Sequence, residues 1–223
     1  MKKLIVRWSG TVMGRICAHR CRSPRWARRG ELSLIAVAGL SLGCAAYRGT
    51  ATEAQPSVVA REGAWMMVPR FPLVFQADND DCGAAALAAV MRFWGYPASP
   101  QSIEAALGRK DNRLRAGDME TYARNAGLRS YVFFGTMKDI VHELGQGRPV
   151  IVGLGKKFEE KKAISHYEVV VGYEPTKKQL LLLDPGRGWQ IDSLDGFAKE
   201  WALSKAVTIV AFLPDSDHRV SDR

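Results

Sequence analysis

Residues 76–95 read QADNDDCGAAALAAVMRFWG, and the fold turns on how this stretch is read. Asp80 or Asp81 can cap a helix over about 82–94, with Leu87, Val90, Met91 and Trp94 on one stripe and alanines over much of the rest. Gly95 supplies the stop. Small side chains all round let other elements approach closely, which predicts a central, buried helix. Its first residue is Cys82. A thiol is a weak nucleophile at its free pKa of about 8.5, and a helix N-terminus together with an imidazolium lowers that value by several units. Gly83 and the three alanines after it are expected to leave space in front of the sulfur for a substrate backbone. A lone cysteine on an apolar helix is ordinarily a packing residue, so chemistry at Cys82 requires partners elsewhere in the chain.

Upstream, 67–76 holds Pro69, Phe71, Pro72, Val74 and Phe75, an extended apolar approach that the prolines keep out of a helix. Downstream, helices are predicted over 101–107, opened by Pro100, and over 118–125, stopped by Gly127. A strand over 130–134 and a helix over 138–144 follow. The pattern then changes to short β-rich runs at 149–154, 166–173, 179–183, 189–191 and 207–213, with one helix over 194–201. Helices first and an antiparallel meander afterwards predict an α+β fold: a helical half whose central helix packs on a C-terminal antiparallel sheet.

The base that would activate Cys82 should come from another part of the chain. His166 opens a strand on which Tyr167, Val169 and Val171 face one way and Glu168, Val170 and Gly172 the other. His19 lies in the basic leader, His142 on a charged surface helix and His218 in the tail, which leaves His166 as the candidate. A hairpin pairing Tyr173 with Gln179 would set Glu168 opposite Asp184 and bring Asp184 diagonal to His166 on one face. A one-residue slip would put Asp184 on the wrong face. Asp184 could then orient the imidazole, or serve as a turn residue before Pro185-Gly186, with Glu168 as the rival orienter. The N–H at the start of the Cys82 helix, and the Gln76 carboxamide, could supply hydrogen bonds to a developing oxyanion.

Charge is unevenly divided along the 223 residues. Of the formal net charge of +9, nearly all lies in residues 1–43, which carry nine Lys/Arg and one acid, Glu31, and leave 23 bases against 22 acids beyond. The basic signal thus belongs to targeting and speaks against nucleic-acid binding by the domain. An Arg-rich stretch, an apolar run over 32–42 and small residues before Cys44 have the parts of a secretory signal, and the run falls short of the ~20 residues that span a bilayer. Leu40-Ser41-Leu42-Gly43-Cys44 resembles a bacterial lipobox, with Ser41 where leucine is usual, so Cys44 is the expected lipidation site. Translation can start at Met1 or Met13. The expected organisation is a signal peptide over 1–43, a lipidated tether over 44–65 with order beginning near Met66, a domain over 66–214 and a polar tail over 215–223. Cys17 and Cys21 leave with the leader, so Cys82 remains as the one free thiol in an exported protein. Neither a clustered His/Cys set nor a Gly-rich phosphate loop is evident, and no metal or other cofactor is expected.

Three separated blocks carry a resemblance. The segment from Gln76 to Leu87 resembles the catalytic block of the bacteriocin-processing, double-glycine leader peptidases, His166-Tyr167-Glu168-Val169-Val170-Val171-Gly172-Tyr173 resembles their histidine strand, and Leu183-Asp184-Pro185 their aspartate turn. The resemblance implies a papain-like cysteine peptidase fold, with Cys82 as nucleophile, His166 relaying the proton, Asp184 orienting His166, and Gln76 with the Cys82 amide stabilising the oxyanion. In the best-known members this domain is fused to an ABC exporter and trims leaders in the cytosol after Gly-Gly. Here no transporter segment is expected to follow, and the leader is expected to direct the domain outward. The expected partner is therefore a peptide or protein precursor with a Gly-Gly-like or small-residue site, met on the periplasmic or outer-membrane side; an export-machinery partner stays unidentified. Two other readings share the fold: a non-catalytic peptide-binding module, and another Cys-His-Asp acyl-transfer enzyme of transglutaminase or amidase type.

Overall fold

A computed structural model of the chain describes residues 47–61, 63–78, 80–107, 114–157 and 163–214. Cys44, the predicted leader over 1–43 and the tail over 215–223 lie outside the described residues.

The helical half is built on α2 (Cys82–Phe93), whose residues from Cys82 to Met91 are all buried. Trp94 caps it, and Gly95, at φ +88, turns the chain away in a conformation that a side chain would oppose. Around it stand α3 (Pro100–Leu107) and α4 (Ala116–Asn125), both packed against α2. The alanines are what permit this. Ala84, Ala85, Ala86, Ala88 and Ala89 have no exposed surface, so they let the helix sink into the core, and the space before the sulfur is bordered by Gly83 and not by them. The approach to α2 is extended as expected, with Val68, Phe71 and Val74 buried and the Phe71 ring 5.6 Å from that of Phe93.

The sheet follows from the β-rich half. β3 (Arg129–Phe134), β4 (Val150–Lys156), β5 (Ile164–Glu174), β6 (Gln179–Asp184), β7 (Gly188–Ser193) and β8 (Val207–Phe212) pair antiparallel throughout, with α5 (Met137–Gly145) between β3 and β4 and α6 (Leu194–Ala202) between β7 and β8. The capping box of Thr136 and Asp139 opens α5, and Ser193 caps α6 by accepting from Gly196 N–H. β4 through β7 form the expected meander, but β8 returns beside β4 and β3 lies outside β8 at the edge. β4, with the sequence VIVGLGK, is buried along its whole length. The architecture is α+β.

Two departures bear on the site. The turn between β5 and β6 is one residue tighter than predicted, with Glu174, not Tyr173, opposite Gln179. A bulge between Val170 and Gly172 absorbs the difference, so that beyond it Val170 pairs Leu182 and Val169 pairs Leu183. The register at the far end is the predicted one, and it is shifted by one for Gly172, Tyr173 and Glu174 on the turn side of the bulge. The second departure concerns the expected tether. Order begins before Met66: β1 (Thr52–Glu53) pairs with β7, the short helix α1 (Pro56–Val59) follows with Val59 buried, and β2 (Met66–Met67) pairs with β5. Among the described residues, no helix is long and apolar enough to cross a membrane.

Candidate active site

The first intrahelical bond of α2 runs from Ala85 N–H to Asp81 C=O, which leaves the amides of residues 82–84 outside the helical ladder. Of the two aspartates expected as caps, Asp81 makes no side-chain cap bond. Its side chain turns back to accept from Asp78 N–H at 3.2 Å. Cys82 is 7% exposed, and it borders a cavity of about 370 Å³ lined also by Asp80, Leu114, Ser165, Tyr167 and Val207. A side chain at Gly83 would be crowded. A Cβ there would lie 3.3 Å from the Tyr167 ring and 3.4 Å from Leu114 Cβ and Met119 Sδ, so the cleft is walled tightly on that side.

His166, near the start of β5, pairs with Leu154 of β4. Continuing the register past Val169 and Leu183 sets Glu168 opposite Asp184, so that His166, Glu168 and Asp184 share a face. His166 Nε2 lies 2.8 Å from Asp184 Oδ1, and the imidazole is close enough to Cys82 for the thiol to shift its titration. With Nε2–H given to Asp184, Nδ1 is the ring nitrogen left for the sulfur. Burial works to lower the imidazole pKa, but the bonds to Asp184 and Cys82 outweigh it and raise it to about 10. Asp184 responds in the opposite direction. Burial pushes its carboxyl up, yet His166, Gly186 N–H and Arg187 together bring it down to about 2. The aspartate is also a turn residue: Oδ1 accepts from Gly186 N–H at 2.8 Å, so the two readings of Asp184 hold together.

Glu168, the rival orienter, has no exposed surface and stands 3.9 Å from His166 Nε2, beyond hydrogen-bonding distance. It is instead held at 2.8 Å by Lys156, whose ammonium also meets Glu200 at 2.7 Å. Burial raises the Glu168 carboxyl to about 7, with Lys156 opposing. His166, Glu168 and Asp184 offer three possible metal-ligand atoms within 4.8 Å of one another, but Nε2–H is already engaged by Asp184 and Glu168 by Lys156. Gln76 is fixed beside the aspartate turn by its N–H to Pro185 C=O at 2.9 Å, and its carboxamide borders Gly186. Its Oε1 is buried without a hydrogen-bond partner among the described residues.

The structure thus brings Cys82, His166, Asp184 and Gln76 to one end of the β5–β6 hairpin and the start of α2. Cys44 lies outside the described residues. Sequence reasoning missed Lys156 and Arg187, the cations that hold the two carboxylates beside His166. The one signal for Lys156 is a charge continuing the apolar run of β4.

No match is found among curated proteins. Among solved structures, the chain is similar to the peptidase domain of Streptococcus ComA, a bi-functional ABC transporter involved in quorum sensing, at 24% identity and a TM-score of 0.53, covering 65% of this chain and 99% of that one. It is similar to a double glycine motif protease from the AMS/PCAT transporter, in complex with the leader peptide, at 17% identity and a TM-score of 0.51, over 64% of this chain and 91% of that one. Xylellain, a cysteine protease from Xylella fastidiosa, matches at 12% identity and a TM-score of 0.50, over 74% of this chain and 91% of the other. At these identities the likeness concerns the fold, which is that of papain-like cysteine peptidases. The model of the Peptidase_C39 like family matches residues 68–209, most of the chain and every residue of the site described above, and on that match the chain belongs to the Peptidase_C39-like family.

Proposed function

We propose that the chain is a thiol peptidase that cuts exported precursors after a Gly-Gly-like or small-residue site, from a lipid anchor on Cys44 facing the periplasmic or outer-membrane side. The observation that carries the catalytic reading is the His166 Nε2 to Asp184 Oδ1 contact of 2.8 Å, on an imidazole whose titration also responds to Cys82 at the start of α2. His166 takes the thiol proton, and the Cys82 sulfur attacks the scissile carbonyl carbon. The resulting oxyanion accepts from the Cys82 amide and the Gln76 carboxamide N–H. The imidazolium then gives its proton to the leaving amine as the C–N bond breaks, leaving a thioester on Cys82. Water, losing a proton to His166, attacks the thioester and releases the acid and the thiol. Asp184 holds the tautomer through both halves.

The preference for small residues is supported by the tight wall that Tyr167 and Leu114 make beside Gly83. Export and lipidation rest on the leader and Cys44 alone. The test is to incubate the purified full chain with peptides carrying Gly-Gly, Gly-Ala, Gly-Ser or bulky-residue junctions and to identify products by mass spectrometry. Cleavage after the small-residue junctions, abolished in Cys82→Ala, is expected. Binding of these peptides without cleavage by folded protein would favour the peptide-binding module, and transfer of the acyl group to an added amine in preference to water would favour a transglutaminase-type enzyme.

A further inference from the structure

Behind His166 lies a buried polar network that the proposed chemistry does not use. Lys156 Nζ stands 2.8 Å from Glu168 Oε1 and 2.7 Å from Glu200 Oε2. Lys156 is 2% exposed and Glu168 not at all, so neither charge has water to fall back on. Tyr47 closes this network from outside. Its hydroxyl donates to Glu200 Oε1 at 2.6 Å, and its ring lies under two cations, with Arg187 Cζ 4.3 Å and Lys156 Nζ 5.1 Å from the centroid. Arg187 in turn stands 3.3 Å from Asp184 Oδ2. A single tyrosine therefore touches both cations, one holding each of the two carboxylates beside the imidazole.

The choice between these carboxylates matters, because Nε2–H is a single donor. Asp184 takes it at 2.8 Å, whereas Glu168 is kept 3.9 Å away by its pairing with Lys156. A Glu168 released from Lys156 would compete for that proton and swing the ring off the line to Cys82. The segment that carries Tyr47 is fastened independently of it: Thr50 Oγ1 donates to Asp192, and Thr52 and Glu53 pair with Ile191 and Gln190 of β7. This segment lies outside the family match, which begins at residue 68.

We propose that Tyr47 and Lys156 are positioning residues for His166: Lys156 ties back the rival carboxylate Glu168, Tyr47 braces Lys156 and Arg187 together, and the chain over 47–53 is part of the active-site scaffold. The inference rests on the reading of Cys82, His166 and Asp184 as the catalytic group. It makes the segment before β2 a functional addition to the family fold and not a spacer.

The test reads the thiol directly and needs no substrate. The full chain is alkylated with iodoacetamide, and modification is followed on the tryptic peptide 71–92, in which Cys82 is the only cysteine. Tyr47→Ala is expected to slow alkylation of Cys82 and, on any peptide the wild type cleaves, to lower kcat on the order of tenfold with KM little changed, since a misplaced base costs rate and not ground-state binding. Tyr47→Phe, which keeps the ring over both cations, should recover most of the loss. Lys156→Met should be slowed further, or fail to fold with Glu168 left unpaired. Lys156→Met combined with Glu168→Gln removes both the clamp and the rival charge, and should return alkylation to within about tenfold of the wild type. Folding is checked by circular dichroism and thermal melting. If folded Tyr47→Ala alkylates as fast as the wild type, or the double variant stays as slow as His166→Ala, the inference is overturned while the catalytic reading stands. If the wild type itself alkylates no faster than His166→Ala, both are overturned together.

Discussion

At His166 the decisive quantity is which protonation state the fold prefers. Its imidazole is raised to about 10, so between the free value of about 6.5 and that pH the folded state holds a proton that the unfolded state lacks. Stability drawn from this site is therefore complete below about pH 6.5 and is lost as pH rises toward 10. The difference in unfolding free energy between the wild type and His166→Gln, from urea titrations, should be flat on the acid side and shrink on the alkaline side. Asp184→Asn removes the carboxylate that does most to hold the proton, so the alkaline limb of kcat/KM should move to lower pH and kcat should fall on the order of a hundredfold or more. Gln76→Ala should lower kcat by a similar factor with KM nearly unchanged, because an oxyanion donor binds the transition state better than the substrate. Cys82, His166, Asp184 and Gln76 were legible because each has the residue type and the flanking pattern that its proposed role demands. Lys156 and Tyr47 were not, because their roles come from partners elsewhere along the chain, 12 residues to Glu168 in one case and 153 to Glu200 in the other, and Arg187, only three residues from Asp184, stands in a turn with no flanking pattern that marks it.

Among the elements, α2 and the β5–β6 hairpin place the site, and they were readable to different depths. The limits of α2 follow from Cys82 and Gly95, whereas Asp81 does not cap it and accepts from Asp78 N–H. At Gly95 the backbone is at φ +88 and no other atom comes within 4 Å of where a β-carbon would stand, so Gly95→Ala meets only a conformational cost. It should destabilise the fold by about 1 kcal/mol and lower Tm by a few degrees, with Cys82 alkylation unchanged. In the hairpin, loop length alone predicts pairing one residue out near the turn. The bulge at Val171 is invisible to period-two reasoning, yet it restores the register that puts Asp184 beside His166. The place of β8 between β4 and β3 was likewise illegible, since strand neighbours distant in sequence are chosen by burial of the whole sheet and not by local pattern.

For the molecule as a whole, the early start of order changes the expected relation to a membrane. If Cys44 carries lipid, two residues separate it from Tyr47, which span at most roughly 10 Å. The domain would then sit against the bilayer surface and not at the end of a long tether. Radiolabelled palmitate should enter the wild type and not Cys44→Ser, and incorporation in both would remove the basis for the anchor. The central claim is that Cys82, served by His166 and Asp184, forms an acyl bond to a peptide, and mass analysis of an acid-quenched reaction tests it most directly. With a Gly-Gly peptide in excess, the 71–92 fragment of the wild type should carry the mass of the acyl group on Cys82. The fragment should be unmodified in Cys82→Ala and slow to modify in His166→Ala. Folded wild-type protein that binds the peptide yet never shows the adduct, with no product released, would contradict the account.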